Sequence, residues 1–464
     1  MSREVERIAE SYGINKDSYY CETNSSGEVI SLELYEPEYD ELSDADRESH
    51  LQFAGTLNKL ERLEISFYDY ELSDLSFLSN LINLKELSLD CNSQFSSLGG
   101  FLHLTELEAL YIQGSIIESI DEIYTFHKLE YLNIGYSKIK DISSLEKLSG
   151  TLKGLYLSDN QIEDISCLTS LYQLEYFHAS KNKITNIPDL TALKNLKEIT
   201  LNDNKIKSFD GLSNLKNLKK IEASDNQVEN IDLLSNLNGI EELYVRNNLI
   251  SDISSVQNLT CLLNLDISDN KIVSLSPLNH LKKLSFLSCN NSKIKDFDQL
   301  KLSSQLKFLY LNNCGIKVLH FLNNQTQLSI LYLNDNHISE FNSFKNTKEL
   351  RHLSLINNDI EKPFSIESYP SIHVVDLSGN KFGNKKFIQA SEVSAGGTIK
   401  ELSDLYRKLT FGELKSEPHN TEPDFVYRKL GKDHHPLVSG IRIILLVVLL
   451  IIVLLMIKML LNRI

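Results

Sequence analysis

The chain has 464 residues, of which 63 are acidic and 47 basic, for a net charge of −16. This excess of acid argues against binding to the phosphate backbone of nucleic acids, which needs clustered Lys and Arg. The charge is uneven: residues 1–48 hold 14 acids against 4 bases, residues 49–382 carry −10, and residues 383–464 carry +4. Six cysteines are scattered without a CxxC pair. We therefore expect reduced, buried thiols, a reducing compartment and no zinc site.

Residues 1–59 are predicted to form an acidic N-terminal cap. Within this region Val29–Leu34 alternates apolar and polar residues like a half-buried strand, which would cover the open apolar end of the segment that follows. The first 30 residues contain no apolar run of the kind that a secretory signal requires. We therefore expect no signal peptide.

Residues 60–382 repeat the pattern Leu-x-x-Leu-x-Leu-x-x-Asn-x-Ile, which is intact at Leu152–Ile162. The second leucine of the pattern recurs about fifteen times between Leu63 and Val375, at intervals that settle to 22 residues. A period of about 20 to 29 residues with this pattern is typical of a leucine-rich-repeat solenoid, in which each unit adds one strand. Within each strand, leucines should point to the core and the residues between them to the opposite face.

The Asn that follows each strand is predicted to join a buried ladder, because an unpaired buried amide would be costly. Four repeats replace this Asn, with Ser115, Ser137, Ser292 and Cys314, and the irregular first repeat has Tyr68 at this position. We expect looser turns at those positions.

Beyond Ile360 the repeat pattern degrades, and three further segments are predicted. Residues 383–410 form a C-terminal cap with an amphipathic helix at Thr398–Leu409, and residues 411–440 a flexible, proline-interrupted stalk. Residues 441–464 include 19 largely apolar residues, about 28 Å of helix, which is enough to cross a thin bilayer once. The sequence predicts a single-pass, tail-anchored protein with cytosolic repeats, at the endoplasmic reticulum or mitochondrial outer membrane of a eukaryote. The alternative for this segment is a buried helix or a lipid-anchor signal.

The spacer of each repeat, such as Ile162–Leu171, resembles the 22-residue subclass found in the nuclear regulatory subunit of type-1 protein phosphatase and in bacterial internalins. The resemblance implies an α/β solenoid shaped like a horseshoe, with a parallel sheet on the concave face and short 3₁₀ or irregular turns on the convex face. It also implies partners bound to the concave face. The phosphatase subunit lacks the predicted membrane tail, and internalins have a signal peptide that we do not expect here. Neither family's particular partner therefore transfers.

Aromatic and acidic residues concentrate at the strand positions predicted to face outward. One aromatic group, on repeats three to six, comprises Tyr111, Tyr131, Tyr136, Tyr156, Tyr176 and His178. A second, on repeats eleven to fourteen, comprises Phe286, Phe308, Tyr310, Ile330, Tyr332 and His352. Between them lie Glu198, Glu222, Asp225, Glu242, Tyr244, Asp266 and Asp269, with Lys220 and Arg246 as the only bases.

An exposed aromatic patch flanked by charge is typical of a protein-binding surface. The pattern predicts a protein partner on the concave face, with a basic segment over the acidic middle. The simpler alternative is that tyrosine is a good strand residue and that stacked rings stabilise neighbouring strands.

No phosphate-binding loop, HExxH or Gly-x-Ser-x-Gly sequence occurs, and His434–His435 has no neighbouring Cys or carboxylate pair. We therefore expect no enzyme activity, no metal and no cofactor. The sequence favours a scaffold that recruits or regulates a protein partner at a membrane. Two alternatives stay open: a phosphatase-type regulatory or targeting subunit, and a cell-surface adhesion or recognition receptor. In the receptor, the four Asn-x-Ser/Thr sequons would be glycosylated; they begin at Asn24, Asn258, Asn290 and Asn324.

Overall fold

A computed structural model describes residues 3–37, 42–341, 347–361, 369 and 371–381. The predicted C-terminal cap, the stalk and the membrane segment lie outside these residues. Within the described part of the chain, no helix is long and apolar enough to span a bilayer.

The N-terminal region contains two helices. Helix α1 spans Arg3–Ser11, and helix α2 spans Asp44–Thr56. Ser43 and Asp46 form a capping box at the start of α2, in which each side chain accepts the backbone N–H of the other residue. The box fixes the start of α2 in a segment that is otherwise rich in charge.

Two strands of the N-terminal region cover the edge of the repeat array. Strands β1 (Tyr19–Thr23) and β2 (Val29–Tyr35) form an antiparallel pair, and β2 pairs in parallel with the first strand of the array. The strand predicted at Val29–Leu34 is thus confirmed. Because β2 supplies backbone partners and apolar side chains, the first repeat has no open edge.

Each repeat contributes one strand to a single seventeen-stranded sheet. The strands follow one another in chain order, and every neighbouring pair from β2 onward is parallel. The first three array strands are long: β3 (Arg62–Leu72), β4 (Glu86–Ser93) and β5 (Ala109–Ser115). The remaining strands have three residues each: β6 (Tyr131–Asn133), β7 (Gly154–Tyr156), β8 (Tyr176–His178), β9 (Glu198–Thr200), β10 (Lys220–Glu222), β11 (Glu242–Tyr244), β12 (Asn264–Asp266), β13 (Phe286–Ser288), β14 (Phe308–Tyr310), β15 (Ile330–Tyr332), β16 (His352–Ser354) and β17 (Val374–Asp376).

The chain returns from one strand to the next mostly through short 3₁₀ helices. One such helix, Lys16–Ser18, belongs to the N-terminal region. The helices of the array are Ser76–Asn80, Gly99–Phe101, Asp121–Thr125, Ser143–Leu148, Ser166–Ser170, Asp210–Leu212, Asp232–Asn236, Ser254–Asn258, Ser276–His280, Phe297–Gln299 and His320–Leu322. The predicted solenoid, with a parallel sheet on one side and 3₁₀ turns on the other, is confirmed.

The core between sheet and return helices consists of apolar columns that run through the repeats. Leu196, Ile199 and Leu201 of one repeat are at most 1% exposed, and the same positions are buried in most other repeats. Fully burying one such side chain stabilises the fold by about 1.5–3 kcal/mol. Since these contacts are made between repeats, one repeat alone would leave its apolar face in water.

The predicted asparagine ladder is confirmed. Asn204 is representative: its Nδ2 donates to the carbonyl oxygens of Ala179 and Leu201 at 2.9 and 3.1 Å, and its Oδ1 accepts the backbone N–H of Ile184 at 2.9 Å. Equivalent bonds are made by Asn160, Asn182, Asn226, Asn248, Asn270, Asn336, Asn358 and Asn380. Each amide therefore ties its own turn to the previous repeat.

The residue before each ladder position has a positive φ in every repeat from Gly114 to Gly379. Before the substituted positions Ser292 and Cys314 the turn keeps the backbone conformation of the other repeats, because φ is 58° at Asn291 and 53° at Asn313. What changes is the bonding: Cys314 Sγ donates to the carbonyl of Cys289 at 2.9 Å, and a thiol has no amide oxygen to accept a second bond.

Candidate protein-binding face

Each short strand from β6 to β16 buries its middle residue and turns its first and third residues away from the core. In β10, Ile221 is 1% exposed, while Lys220 and Glu222 are half-buried on the opposite side of the sheet, here called the outer face. The first-residue column holds Tyr131, Tyr176, Glu242, Phe286, Phe308 and His352 of the predicted site. The third-residue column holds Tyr111, Tyr156, His178, Glu222, Tyr244, Asp266, Tyr310 and Tyr332. Tyr136 lies in the turn after β6.

The prediction of an exposed aromatic patch needs correction. None of the aromatic or histidine residues of the two predicted groups is exposed: Phe286 is buried, and the others are half-buried. Their rings lie against neighbouring strands, which are about 4.8 Å away. Fully exposed tyrosines occur instead among the returning segments, at Tyr124 and Tyr172. The outer face is therefore a packed aromatic surface, without protruding anchor residues.

Four residues over β6 to β8, here called the tyrosine cluster, are Tyr131, Tyr156, Tyr176 and His178. The ring centroids of Tyr156 and His178 are 4.9 Å apart. Lys197 Nζ lies 5.7 Å from the centre of the Tyr176 ring, within the range of a cation–π contact. The structure thus brings together four of the six residues in the first predicted group.

Gly154 makes room for the tyrosine cluster. A Cβ atom at this position would lie 2.6 Å from Tyr131 Cδ1, which is closer than carbon atoms can pack, and 3.1 Å from Tyr156 Cε2, which is tighter than most carbon contacts. The two rings therefore occupy the space that a side chain would fill. Sequence reasoning missed Gly154, although a glycine inside a strand is itself a signal that something approaches the backbone closely.

Burial controls protonation in this part of the face. It raises the pKa of the Tyr131 and Tyr176 phenols, and it lowers the pKa of the His178 imidazole to about 4. Burial also raises the pKa of Tyr111, on the preceding array strand, and the Glu86 carboxylate adds to that shift. At neutral pH the cluster is an uncharged surface of hydroxyl and imidazole groups.

Tyr136 lies apart from the cluster because it occupies the left-handed turn position, with φ at 56°. Its backbone N–H donates to the carbonyl of Ser158 at 2.8 Å, and burial raises the pKa of its phenol. A bulky aromatic residue is unusual at positive φ. Tyr136 therefore serves mainly to form the turn.

Lys220 lies at the centre of the acidic middle of the outer face. Its Nζ is 2.8 Å from the Glu222 carboxylate and 4.0 Å from that of Glu242. Burial acts to raise the pKa of Glu222, but Lys220, together with a 3.1 Å bond from Asn202 Nδ2, holds that pKa below its ordinary value. Burial alone would lower the pKa of Lys220. The carboxylates of Glu222, Glu242 and Glu198 outweigh this effect and raise that pKa above its ordinary value. This fixed ion pair makes the middle less acidic than the sequence alone indicates.

Two carboxylates of this region, Glu198 and Asp266, form no ion pair among the described residues. Burial raises the pKa of Glu198; the charge of Lys220 opposes this shift, and the charges of Glu242 and Glu222 add to it. Burial also raises the pKa of Asp266, although the backbone N–H of Ser268 donates to it at 2.9 Å. An added cation would stabilise the ionised form of both carboxylates.

Two other acids of the middle have partners on the face. The Tyr244 hydroxyl donates to Glu242 at 3.2 Å, and Arg246 Nε lies 2.8 Å from Asp269. Burial raises the pKa of Tyr244, and Glu242 adds to the shift, so the phenol keeps its proton as a hydrogen-bond donor.

Five residues over β13 to β15, here called the apolar cluster, are Phe286, Phe308, Tyr310, Ile330 and Tyr332. The ring centroids of Phe286 and Tyr310 are 5.7 Å apart, and those of Tyr310 and Tyr332 are 5.2 Å apart. Phe286 is 9% exposed and Ile330 is 2% exposed, so they form an apolar floor. Burial raises the pKa of Tyr332, whose phenol stays neutral beside that floor. His352 follows on β16.

The type of residue immediately before each strand differs between the two halves of the face. In the first half this residue is often a Lys or Glu that pairs with the neighbouring repeat, as in Lys153–Glu130, Lys197–Glu175 and Lys219–Glu241 at 2.7 to 2.9 Å. From β12 to β16 the position holds Leu263, Ser285, Lys307, Ser329 and Arg351. Leu263 is 38% exposed beside the apolar cluster. Sequence reasoning did not single out this edge.

The cysteines of the chain are structural. All six are free thiols and five are buried. Burial raises the pKa of Cys91 to about 11 and that of Cys167 to about 12, which disfavours the reactive thiolate. Within the described residues, no three His, Cys, Asp or Glu side chains come together as metal ligands.

Comparison with known proteins agrees with this geometry. The family described as leucine-rich repeats (two copies) matches residues 172–214 and 216–258. The chain is a leucine-rich-repeat protein. Over 118 residues it is 30% identical to a protein of Arabidopsis thaliana named as a homologue of a protein phosphatase 1 regulatory inhibitor subunit. That match covers 24% of this chain and 36% of the relative, so the chain spans about a third of the relative's length.

Two solved structures illustrate how far the likeness of fold extends. An internalin from Listeria monocytogenes is 26% identical, with a TM-score of 0.57 over 81% of this chain and 94% of its own. A leucine-rich-repeat protein from Leptospira interrogans is 20% identical, with a TM-score of 0.60 over 88% and 96% of the two chains. The second likeness concerns the fold alone.

Proposed function

We propose that this leucine-rich-repeat protein is a non-catalytic scaffold that binds a protein partner on the outer face of its sheet and holds that partner at a membrane. The observation that carries the proposal is the composition of the outer face. Its two columns collect aromatic rings and carboxylates that the leucine core and the asparagine ladder do not require. A rigid array holds these side chains in place before binding, which lowers the ordering cost of association.

The test compares the outer face with the return side. A photo-crosslinking amino acid is introduced at Tyr156 or Tyr310 of the full-length chain, and at Tyr124 or Tyr172 as matched aromatic controls. We expect discrete crosslinked complexes from the first pair and none from the second. Complexes formed only from Tyr124 or Tyr172 would place the binding surface elsewhere and contradict the proposal.

The membrane part of the proposal rests on the apolar composition of residues 441–464. It is tested by protease protection of an N-terminal tag. We expect the tag to be digested once the plasma membrane is opened while organelles stay sealed. Protection inside organelles, or digestion on unbroken cells, would favour the receptor alternative.

A second candidate function, regulation of a phosphatase, has one observation in its favour, the 30% identity to the phosphatase regulatory homologue. It predicts that the full-length chain binds and inhibits the catalytic subunit of type-1 protein phosphatase. The measurement is phosphatase activity at increasing concentrations of the chain. Unchanged activity, with no complex on size-exclusion chromatography, would remove this candidate and leave the general scaffold intact.

A further inference from the structure

Two features of the outer face lie at a fixed separation. The acidic middle is centred on Glu242 in β11, and the apolar cluster is centred on Phe308 in β14, three strands farther along. At about 4.8 Å per strand the separation is about 14 Å. An extended chain advances about 3.3 Å per residue, so about four residues span this distance.

Building on the proposed scaffold function, we propose that the outer face binds an extended segment of its partner at two points. A Lys or Arg of the segment pairs with the carboxylates of Glu242 and Asp266, which lie on the adjacent strands β11 and β12. An aliphatic or aromatic side chain, about four residues away, packs on the apolar cluster.

The basic point follows from charge complementarity. Residues 60–259 contain 30 acids and 17 bases, so the first half of the array attracts a cationic segment over distances longer than contact. Lys220 lies between Glu198 and Glu242 in the register of β9 to β11, and its Nζ is 2.8 Å from Glu222 and 4.0 Å from Glu242, so it offsets the carboxylates of β9 to β11 more than that of Asp266 on β12. Asp266 forms no ion pair among the described residues, and both Asp266 and Glu242 are half-buried. A bound cation would therefore meet carboxylates that already lack part of their hydration.

The apolar point follows from the contrast between the two clusters. The first-residue column reads Phe286, Phe308, Ile330 over β13 to β15, with Leu263 exposed at the adjoining edge. The tyrosine cluster has a glycine at its centre and ends in hydroxyl and imidazole groups. Of the two clusters, the apolar cluster alone therefore offers an apolar surface to an aliphatic side chain. It lies beyond Asp266, in the second half of the face.

The two points are tested with a displayed library of random 12-residue peptides selected on the full-length protein. We expect the enriched peptides to carry a Lys or Arg and, three to five residues away, a Leu, Ile, Phe or Tyr. Enrichment of acidic peptides, enrichment without this spacing, or no enrichment at all would overturn the proposal.

Charge variants with equal charge loss then locate the basic point. Synthetic copies of the enriched peptides are titrated against Glu242→Gln/Asp266→Asn and against the control Glu163→Gln/Glu229→Gln, which changes carboxylates outside the outer face. We expect at least tenfold weaker binding and a flatter salt dependence for the first variant, and less than twofold change for the control. Equal effects of the two variants would show general charge attraction only, and would overturn the proposal.

Aromatic variants locate the apolar point in the same way. Phe308→Ala/Tyr332→Ala is compared with Tyr124→Ala/Tyr172→Ala, which removes exposed rings from the return side. We expect at least tenfold weaker binding for the first pair only, with circular dichroism of both variants unchanged.

The outcomes also separate this inference from the scaffold function. If crosslinking at Tyr156 or Tyr310 captures a partner whose binding the carboxylate variants leave unchanged, the outer face is a binding surface and the two-point recognition fails. If that crosslinking captures nothing while Tyr124 or Tyr172 does, the proposed function fails together with it.

Discussion

The two halves of the repeat array share one fold and hold their outer faces in different ways. Over β6 to β11, Lys and Glu before the strands pair across repeats, and the Lys220–Glu222 pair lies on the face itself. Over β13 to β15 the face is held by apolar contact, and the ladder position is Ser292 and then Cys314. The residues of the outer face can therefore differ between repeats without changing the fold, because the core columns and the left-handed turns fix the backbone in both halves.

This contrast indicates that the two halves of the outer face favour different kinds of contact with a partner. A surface built from ion pairs and uncharged hydroxyl groups favours polar recognition, whereas an apolar floor contributes contact area. The following predictions test whether the two halves really depend on different interactions, from the largest expected effect to the smallest.

The largest difference is expected at the ladder. Asn204→Ala removes an amide that bonds Ala179, Leu201 and Ile184, and leaves buried backbone groups unpaired, so we expect a loss of about 3 kcal/mol. Cys314→Ala removes one weak donor and should cost about 1 kcal/mol. The measurement is the urea unfolding midpoint of each variant, monitored by far-UV circular dichroism. Equal shifts would mean that the second half depends on its ladder as much as the first.

A smaller effect is expected where rings lie over the strand. Gly154→Val places a side chain in the space held by the Tyr131 and Tyr156 rings, and should displace both. The chain contains 20 tyrosines and no tryptophan, so near-UV circular dichroism reports tyrosine packing directly. We expect a changed near-UV spectrum, a stability loss of about 1–2 kcal/mol from the forced shift, and weaker partner binding.

The matched control for that experiment is Gly150→Val. A Cβ at Gly150 meets no atom within 4 Å, so its near-UV spectrum should stay as in the parent protein. If Gly154→Val also leaves the spectrum unchanged, the tyrosine cluster is not the packed unit described here.

Much of the architecture follows from the 22-residue period, since it places the leucines of the repeat pattern in the core and the first and third strand residues on the outer face. The exposure of those residues does not follow, because it depends on neighbours one repeat away. Tyr156 is half-buried since His178 lies beside it, and Lys220 is neutralised by Glu222 only once side-chain directions are known. A glycine inside a strand, as at Gly154, indicates that something approaches the backbone closely. Only the structure shows that the rings of Tyr131 and Tyr156 do so. The first two repeats, whose second leucines are followed by the next at intervals of 24 and 23 residues, contain the long strands β3 and β4.

The protonation of His178 gives a prediction whose effect depends on pH. The folded-state pKa of about 4 lies below the unfolded value of about 6.5, so the unfolded chain binds the proton more readily between these values. The contribution of His178 to stability is therefore complete above about pH 6.5 and declines as the pH falls toward 4. NMR titration of the imidazole should give a pKa near 4, with His178→Asn used to assign the signal. A value of 6 or higher would show that the ring is hydrated and that the tyrosine cluster is open to water.

The smallest effect is expected at the left-handed turns. Lys181 is exposed and has φ at 54°, so Lys181→Asn relieves an unfavourable backbone without removing packing, and should raise stability by about 0.5–1 kcal/mol. Tyr136→Asn relieves the same strain at φ 56° but removes a half-buried ring, so its net effect should be smaller or negative. The difference between the two variants, measured as unfolding midpoints under one condition, gives the packing contribution of the Tyr136 ring. If Tyr136→Asn stabilises as much as Lys181→Asn, the ring contributes nothing to the fold, and its presence at a strained position would then favour a role on the binding surface.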